Sequence, residues 1–105
     1  MSEDITNLWL EFEWWTRDEG STDDDAFNMQ VQLQNGTTYA LNVWTFKALE
    51  RFHRMDQTTG ENLHGQYLIP PDLIVDRLDR QIVQEIITDL LRTKQMKDKW
   101  IVDGI

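Results

Sequence analysis

The stretch FNMQVQLQNGTTYALNVW, residues 27–44, decides the fold. Apolar and polar residues alternate over residues 27–33, which indicates a half-buried strand because successive strand side chains point to opposite faces. Asn35 and Gly36 form the strongest short signal for a hairpin turn, since both central positions of that turn need positive φ. The apolar residues at 38–44 then indicate the returning strand. The sequence therefore predicts an antiparallel hairpin in the middle of the chain.

An alternating pattern upstream of this hairpin predicts another strand, over residues 8–15. One face of that strand carries Leu8, Leu10, Phe12 and Trp14, and the other carries Trp9, Glu11, Glu13 and Trp15. Residues 1–6 are expected to be a flexible terminus, and residues 16–25 a polar loop.

Two amphipathic helices are predicted downstream. The first follows Thr45 as its N-cap and presents Phe46, Leu49 and Phe52 at spacings of three. The second follows Asp79 and carries a broad apolar stripe, formed by Ile82, Val83, Ile86, Ile87, Leu90 and Leu91.

Short apolar runs surround the second helix. Residues 67–69 are predicted to be a short strand, stopped by Pro70 and Pro71, after a loop at 56–66. Residues 73–75 are predicted to be another short strand, or a continuation of the first after a kink. Residues 92–105 form a tail, whose residues 100–102 are expected to be either a last edge strand or a docked segment.

These elements predict one α+β domain over residues 1–105, in the order β-β-β-α-β-β-α. We expect a mainly antiparallel sheet of about five strands with two helices packed on one face. The predicted core consists of Leu10, Phe12, Phe27, Met29, Val31, Leu33, Leu41, Val43, Phe46, Leu49, Phe52, Ile74, Ile82, Ile86 and Leu90.

The residue types argue against catalysis and against a metal or cofactor. There is no cysteine, and His53 and His64 are the only histidines, without a neighbouring ligand at a recognised metal spacing. Ser2 and Ser21, the only serines, lie in polar segments that are not expected to fix a nucleophile within hydrogen-bond reach of a general base. The prediction is a non-enzyme without metal or cofactor. The chain starts without a basic and apolar leader, which predicts a cytoplasmic location.

Acidic charge is concentrated near the start of the chain. The net charge is −9. Residues 1–25 hold nine acids and one base, whereas residues 26–105 hold ten acids and nine bases. Such a charge repels nucleic acids and anionic membranes and attracts basic proteins. Solubility alone is the alternative explanation.

Tryptophans flanked by carboxylates suit a surface that binds a basic, partly apolar protein, because aromatics anchor and acids steer. The alternative is that a helix or the tail covers this face. The predicted partner-binding residues are Trp9, Glu11, Glu13, Trp15, Asp18, Glu19, Asp23, Asp24 and Asp25.

The middle of the chain resembles a known family over roughly residues 27–91. The resemblance is carried by Asn35-Gly36, Tyr39, Val43, Thr45, Gly60-Glu61, Gly65, Tyr67, Asp72-Leu73-Ile74-Val75, Arg80, Ile86 and Leu90-Leu91. This pattern is similar to the small immunity proteins of bacterial polymorphic-toxin and contact-dependent inhibition systems.

The resemblance implies a protein that binds and neutralises a cognate toxin domain, often a basic nuclease, which suits an acidic inhibitor. It transfers no toxin-contacting residue, since these interfaces diverge between pairs. The alternative is a small adaptor or self-assembling α+β domain of phage or house-keeping origin.

Overall fold

The computed structural model describes residues 4–15 and 23–102, which form an α+β fold. The strands are β1 (Ile5–Leu10), β2 (Ala26–Leu33), β3 (Thr38–Thr45) and β4 (Leu73–Val75). The helices are α1 (Phe46–Thr59), α2 (Glu61–Gly65) and α3 (Arg80–Arg92), and short 3-10 turns span Glu11–Trp14 and Asp98–Trp100.

The sheet is mixed, with the strand order β1-β2-β3-β4. β1 pairs with β2 and β2 with β3 in antiparallel fashion, as the hairpin signal predicts, but β3 and β4 are parallel. The expectation of a mainly antiparallel sheet of about five strands is therefore wrong. Residues 67–69 are not a strand. The backbone of Asp72 instead donates to the carbonyl of Asn42 at 3.1 Å, which brings the chain beside β3 only after the two prolines.

β1 begins and ends earlier than the alternation predicts. Ile5 already pairs with Leu33, so residues 5 and 6 belong to the sheet and not to a flexible terminus. The ladder ends at Leu10 because Glu11 Oε1 accepts a hydrogen bond from the backbone N–H of Asn28 at 2.8 Å. A side chain thus takes the place of the next strand carbonyl, and the backbone turns into a 3-10 helix.

One face of the sheet, which we call the core face, is closed by α3. Alternate strand residues on this face are buried, and Val83 and Ile87 of α3 are fully buried against them. The core-face strand residues are Leu8, Leu10, Phe27, Met29, Val31, Leu33, Leu41, Val43 and Val75. Asp79 caps α3 as predicted, since its Oδ1 accepts from the N–H of Ile82 at 3.0 Å.

The opposite face of the sheet, the second face, is covered by α1 at one end. Trp44 lies on this face because it alternates with the buried Val43 and Thr45, and its ring meets Phe52 of α1 edge to face at 4.8 Å. The helices α1 and α3 therefore lie on opposite faces, and the expectation that both pack on one face is wrong.

Phe46 is 58% exposed, which contradicts its place in the predicted core. Thr45 caps α1 as predicted, with its Oγ1 accepting from the N–H of Ala48 at 3.1 Å. The buried contact at the start of the helix is made by Ala48, two positions further on. Two residues correspond to about 200° around a helix, so Phe46 points to solvent.

The tail docks on the sheet, one of the two predicted outcomes. The N–H of Val102 donates to the carbonyl of Thr38 at 2.9 Å, and Ile101 bridges Tyr39. These contacts lie at the end of β3 that β4 does not reach. Trp100 is thereby buried in the core, although it is absent from the predicted core.

Candidate partner-binding site

The four aromatic and acidic residues predicted to share one strand face do not share it. Trp9 alone lies on the second face of β1, next to Gln30. Glu11 and Glu13 belong to the 3-10 turn. Trp15 packs against the core with its ring 6.5 Å from that of Phe12. The most exposed tryptophan is instead Trp14, at 72%, which the alternation placed on the same face as Leu8, Leu10 and Phe12.

Glu13 binds α3 instead of facing a partner. Its carboxylate accepts two hydrogen bonds from Arg80, from Nε at 2.9 Å and from Nη2 at 2.8 Å. The same guanidinium donates to the carbonyl of Leu8 at 2.5 Å, on the outer edge of β1. The hydrogen bond from Arg80 lowers the pKa of Glu13, against a smaller opposing effect of burial, and Glu13 raises the pKa of Arg80.

Two loop acids hold α1. Asp23 Oδ2 lies 2.9 Å from Lys47 Nζ and raises the pKa of that lysine by a hydrogen bond and by its charge. Asp24 Oδ1 accepts from Arg51 Nε at 2.8 Å. Asp25 Oδ1 accepts from the N–H of Ala26 at 2.8 Å.

Asp18 and Glu19, also predicted for the site, lie outside the described residues. The three long-range ion pairs of Glu13, Asp23 and Asp24 change the charge distribution. If Lys47, Arg51 and Arg80 are counted with residues 1–25, that group has nine acids and four bases, against ten acids and six bases in the rest of the chain. Counted in this way, the acidic excess is divided almost equally between the two groups of residues.

A pocket on the second face, which we call the α1 pocket, offers a different site. It has a volume of about 350 Å³ and lies between α1, α2 and the segment that leads to the prolines. Its lining is Trp44, Phe52, Met55, Asp56, Asn62, Leu68 and Ile69. Met55 and Ile69 are 49% and 77% exposed, so the apolar wall of the pocket extends onto the surface.

The polar wall of the pocket depends on an unusual turn. Asn62, Leu63 and His64 of α2 all have left-handed backbone angles, with φ between 51° and 57°. This conformation costs about 1–2 kcal/mol at most residues and less at asparagine. The turn is held by His53 Nε2, 2.8 Å from the carbonyl of Gly65, and by Asn62 Nδ2, which donates to Asp56 Oδ2 at 2.7 Å. Strain of this kind persists only where the surrounding contacts impose it, and it concentrates at functional sites.

Hydrogen bonds across the second face hold the aromatic wall. Asn28 Nδ2 donates to Glu11 Oε1 and Asn42 Nδ2 donates to Asn28 Oδ1, both at 3.3 Å. Trp44 Nε1 donates to Asn42 Oδ1 at 3.0 Å, which restrains the indole ring. The sheet thus orients one wall of the pocket, and α1 supplies the other.

The sequence pattern does not predict this site. Phe52 was predicted to lie in the core and residues 67–69 to form a strand, and neither prediction suggests a pocket. The available signal was the pair Gly60 and Gly65, both with positive φ, which delimits α2.

The α3 surface carries a larger groove of about 650 Å³, lined only by polar residues of that helix among the residues described: Arg80, Gln81, Gln84, Glu85, Thr88, Asp89 and Arg92. Within residues 4–15 and 23–102, no group of three histidine, aspartate or glutamate side chains is placed to hold a metal ion. No helix in the same part of the chain is long and apolar enough to cross a membrane.

Comparison with known proteins returned no match among family models, curated proteins or solved structures.

Proposed function

We propose that this protein is a non-catalytic binding protein of the cytoplasm, and specifically an immunity protein that neutralises a basic toxin domain. The observation that carries the proposal is the α1 pocket, where aromatic and exposed apolar side chains meet. In monomeric soluble proteins, a contiguous exposed apolar surface often marks a site of protein interaction. Met55 and Ile69 would be covered by the partner, with Trp44 and Phe52 behind them.

The charge of the protein supports a basic partner. A net charge of −9, distributed over both parts of the chain, accelerates association with a positively charged domain through long-range attraction. Contacts inside the α1 pocket act at short range and would set the dissociation rate. The toxin class itself is proposed from the family resemblance of residues 27–91.

Growth rescue tests the proposal directly. The product of the adjacent gene, which we expect to contain the toxin domain, is expressed in bacteria with and without the protein, and growth is measured. We expect the toxin domain alone to arrest growth and co-expression to restore it. Arrest that persists at matched protein levels contradicts the immunity function. A stable homo-oligomer with no affinity for the purified toxin domain favours the self-assembling alternative.

Association kinetics test the electrostatic part. We expect the association rate to fall several-fold between 50 mM and 500 mM salt, while the dissociation rate stays nearly constant. Equal association rates at both salt concentrations would show that the acidic charge serves solubility only.

A further inference from the structure

We propose that the α1 pocket binds an arginine side chain of the partner protein, with the guanidinium at Asp56 and the aliphatic stem against Trp44 and Phe52. This inference rests on the proposed function, because the basic partner supplies the arginine.

Asp56 supplies the charge that an arginine requires. It is the only charged residue among the seven that line the pocket, and it is half-buried there. Its Oδ2 accepts from Asn62 Nδ2, which orients the carboxylate. Among the described residues no lysine, arginine or histidine forms an ion pair with it, in contrast to Glu13, Asp23 and Asp24. A cation from the partner would form an ion pair with the carboxylate of Asp56.

The aromatic rings favour arginine as that cation. Trp44 and Phe52, which meet edge to face at an angle of 73°, are both partly exposed and line the pocket, and aromatic rings bind a planar guanidinium or its stem. Arg51 already lies over the ring of Phe52, with its Cζ 4.7 Å from the ring centre. Its Nε donates to Asp24 Oδ1 at 2.8 Å and its Nη1 to the sulfur of Met55 at 3.8 Å, so its hydrogen bonds go to residues other than Asp56. The molecule therefore contains one example of the contact that the partner's arginine would make.

The pocket also suits arginine by size and composition. A volume of about 350 Å³ accommodates one long side chain, and Met55, Leu68 and Ile69 provide apolar contact for its methylene groups. Arginine buries its stem on apolar surface while its charged end is paired, which matches a mainly apolar pocket with a single carboxylate.

The first experiment uses small probes and needs no partner. The peptide acetyl-Gly-Arg-Gly-amide is titrated into the protein, and the indole N–H resonance of Trp44 is followed by NMR. The same peptide with citrulline in place of arginine has nearly the same shape without the charge. We expect the arginine peptide to shift the Trp44 resonance in a saturable manner and the citrulline peptide to bind at least five-fold more weakly.

Two matched variants localise the effect. Asp56→Asn removes the charge and keeps an acceptor for Asn62, whereas Asp76→Asn removes the same charge at a side chain that is 80% exposed and outside the pocket lining. We expect the arginine peptide to bind Asp56→Asn at least five-fold more weakly and Asp76→Asn like the unaltered protein. Equal binding to both variants, equal binding of citrulline, or no saturable shift overturns the inference. Equal urea midpoints of the two variants confirm that the comparison reports binding.

The second experiment uses the toxin domain and separates the two proposals. A ten-fold or greater rise in the dissociation constant for Asp56→Asn, with no change for Asp76→Asn, supports both proposals. If the toxin domain binds both variants equally and the peptide does not bind, the arginine pocket is wrong and the immunity function stands. If the peptide binds as expected and the toxin domain does not, the proposed function is wrong and the pocket stands.

Discussion

The two faces of the sheet bury side chains in different ways. The core face is closed along its length by α3 and by Trp100 from the docked tail. The second face is covered at one end by α1, and Asn28, Gln30 and Gln32 of β2 remain exposed. A closed apolar face contributes stability, whereas a face that ends in an open pocket leaves apolar surface for another molecule. The core face therefore contributes most to folding, and the proposed binding site lies on the second face.

The largest difference in the free energy of unfolding is expected between a variant of a core-face residue and a variant of an exposed residue of α1. Ile87→Ala should lower the free energy of unfolding by about 2–5 kcal/mol, because Ile87 is fully buried and the change leaves a cavity. Phe46→Ala removes a larger side chain, but it should change the free energy of unfolding by less than about 1 kcal/mol because Phe46 is exposed. Urea unfolding of both variants at pH 7 measures the difference. Equal losses would show that α1 contributes to the core at Phe46.

Two glycines test how tightly the turn beside the α1 pocket is packed. Gly36 and Gly65 both have positive φ, so alanine strains either site. An added Cβ at Gly36 meets nothing within 4 Å, but at Gly65 it lies 2.5 Å from the Cγ of Gln57 and 3.2 Å from its backbone nitrogen.

We expect Gly36→Ala to cost about 1–2 kcal/mol and Gly65→Ala about 1–3 kcal/mol more. Thermal melting of the two variants compares them. Gly65→Ala should also weaken binding of the arginine peptide, because it displaces the segment that carries Asn62. Identical melting temperatures would mean that α2 moves to accommodate the added Cβ at Gly65 without loss of stability.

The helix cap on the core face gives a smaller effect. Asp79→Ala removes the acceptor for the N–H of Ile82 and should cost about 1 kcal/mol. Asp79→Asn retains an acceptor and should recover most of that loss. Urea midpoints of the two variants are the measurement, and an equal loss in both would point to the charge of Asp79 instead of its hydrogen bond.

The ion pair of Glu13 and Arg80 is expected to make the smallest contribution to stability, and this contribution depends on pH. The folded protein lowers the pKa of Glu13, so its stabilisation is present at neutral pH, above the ordinary value of 4.5, and is lost as the pH falls through the lowered folded-state value. Both side chains are more than a third exposed, so solvent screening limits the effect to about 0.5–1 kcal/mol.

Urea unfolding of Glu13→Gln and the unaltered protein at pH 7 and pH 3 tests this. We expect the difference to be present at pH 7 and to shrink at pH 3. A difference that is constant with pH would indicate lost packing and not lost charge.

The candidate site was less accessible to sequence reasoning than the fold. Phe52 and residues 67–69 were recognised as apolar, but their pattern does not say that they surround an open pocket beside Asp56. The predicted acidic site assumed that charges close in sequence act together. Glu13 and Arg80 are 67 residues apart, and their pairing depends on α3 lying across the end of β1.

Local patterns by themselves determined the central hairpin, both helix caps and most of the core face. Alternation at 27–33, the Asn35-Gly36 turn, and the hydroxyl and carboxylate at Thr45 and Asp79 act over a few residues, so their effect is readable in order along the chain. Tertiary structure decided where β1 ends, because Glu11 meets the backbone of Asn28 only once the strands have paired. It also decided the parallel pairing of β4 and the opposite placement of α1 and α3, since each depends on contacts between segments distant in sequence.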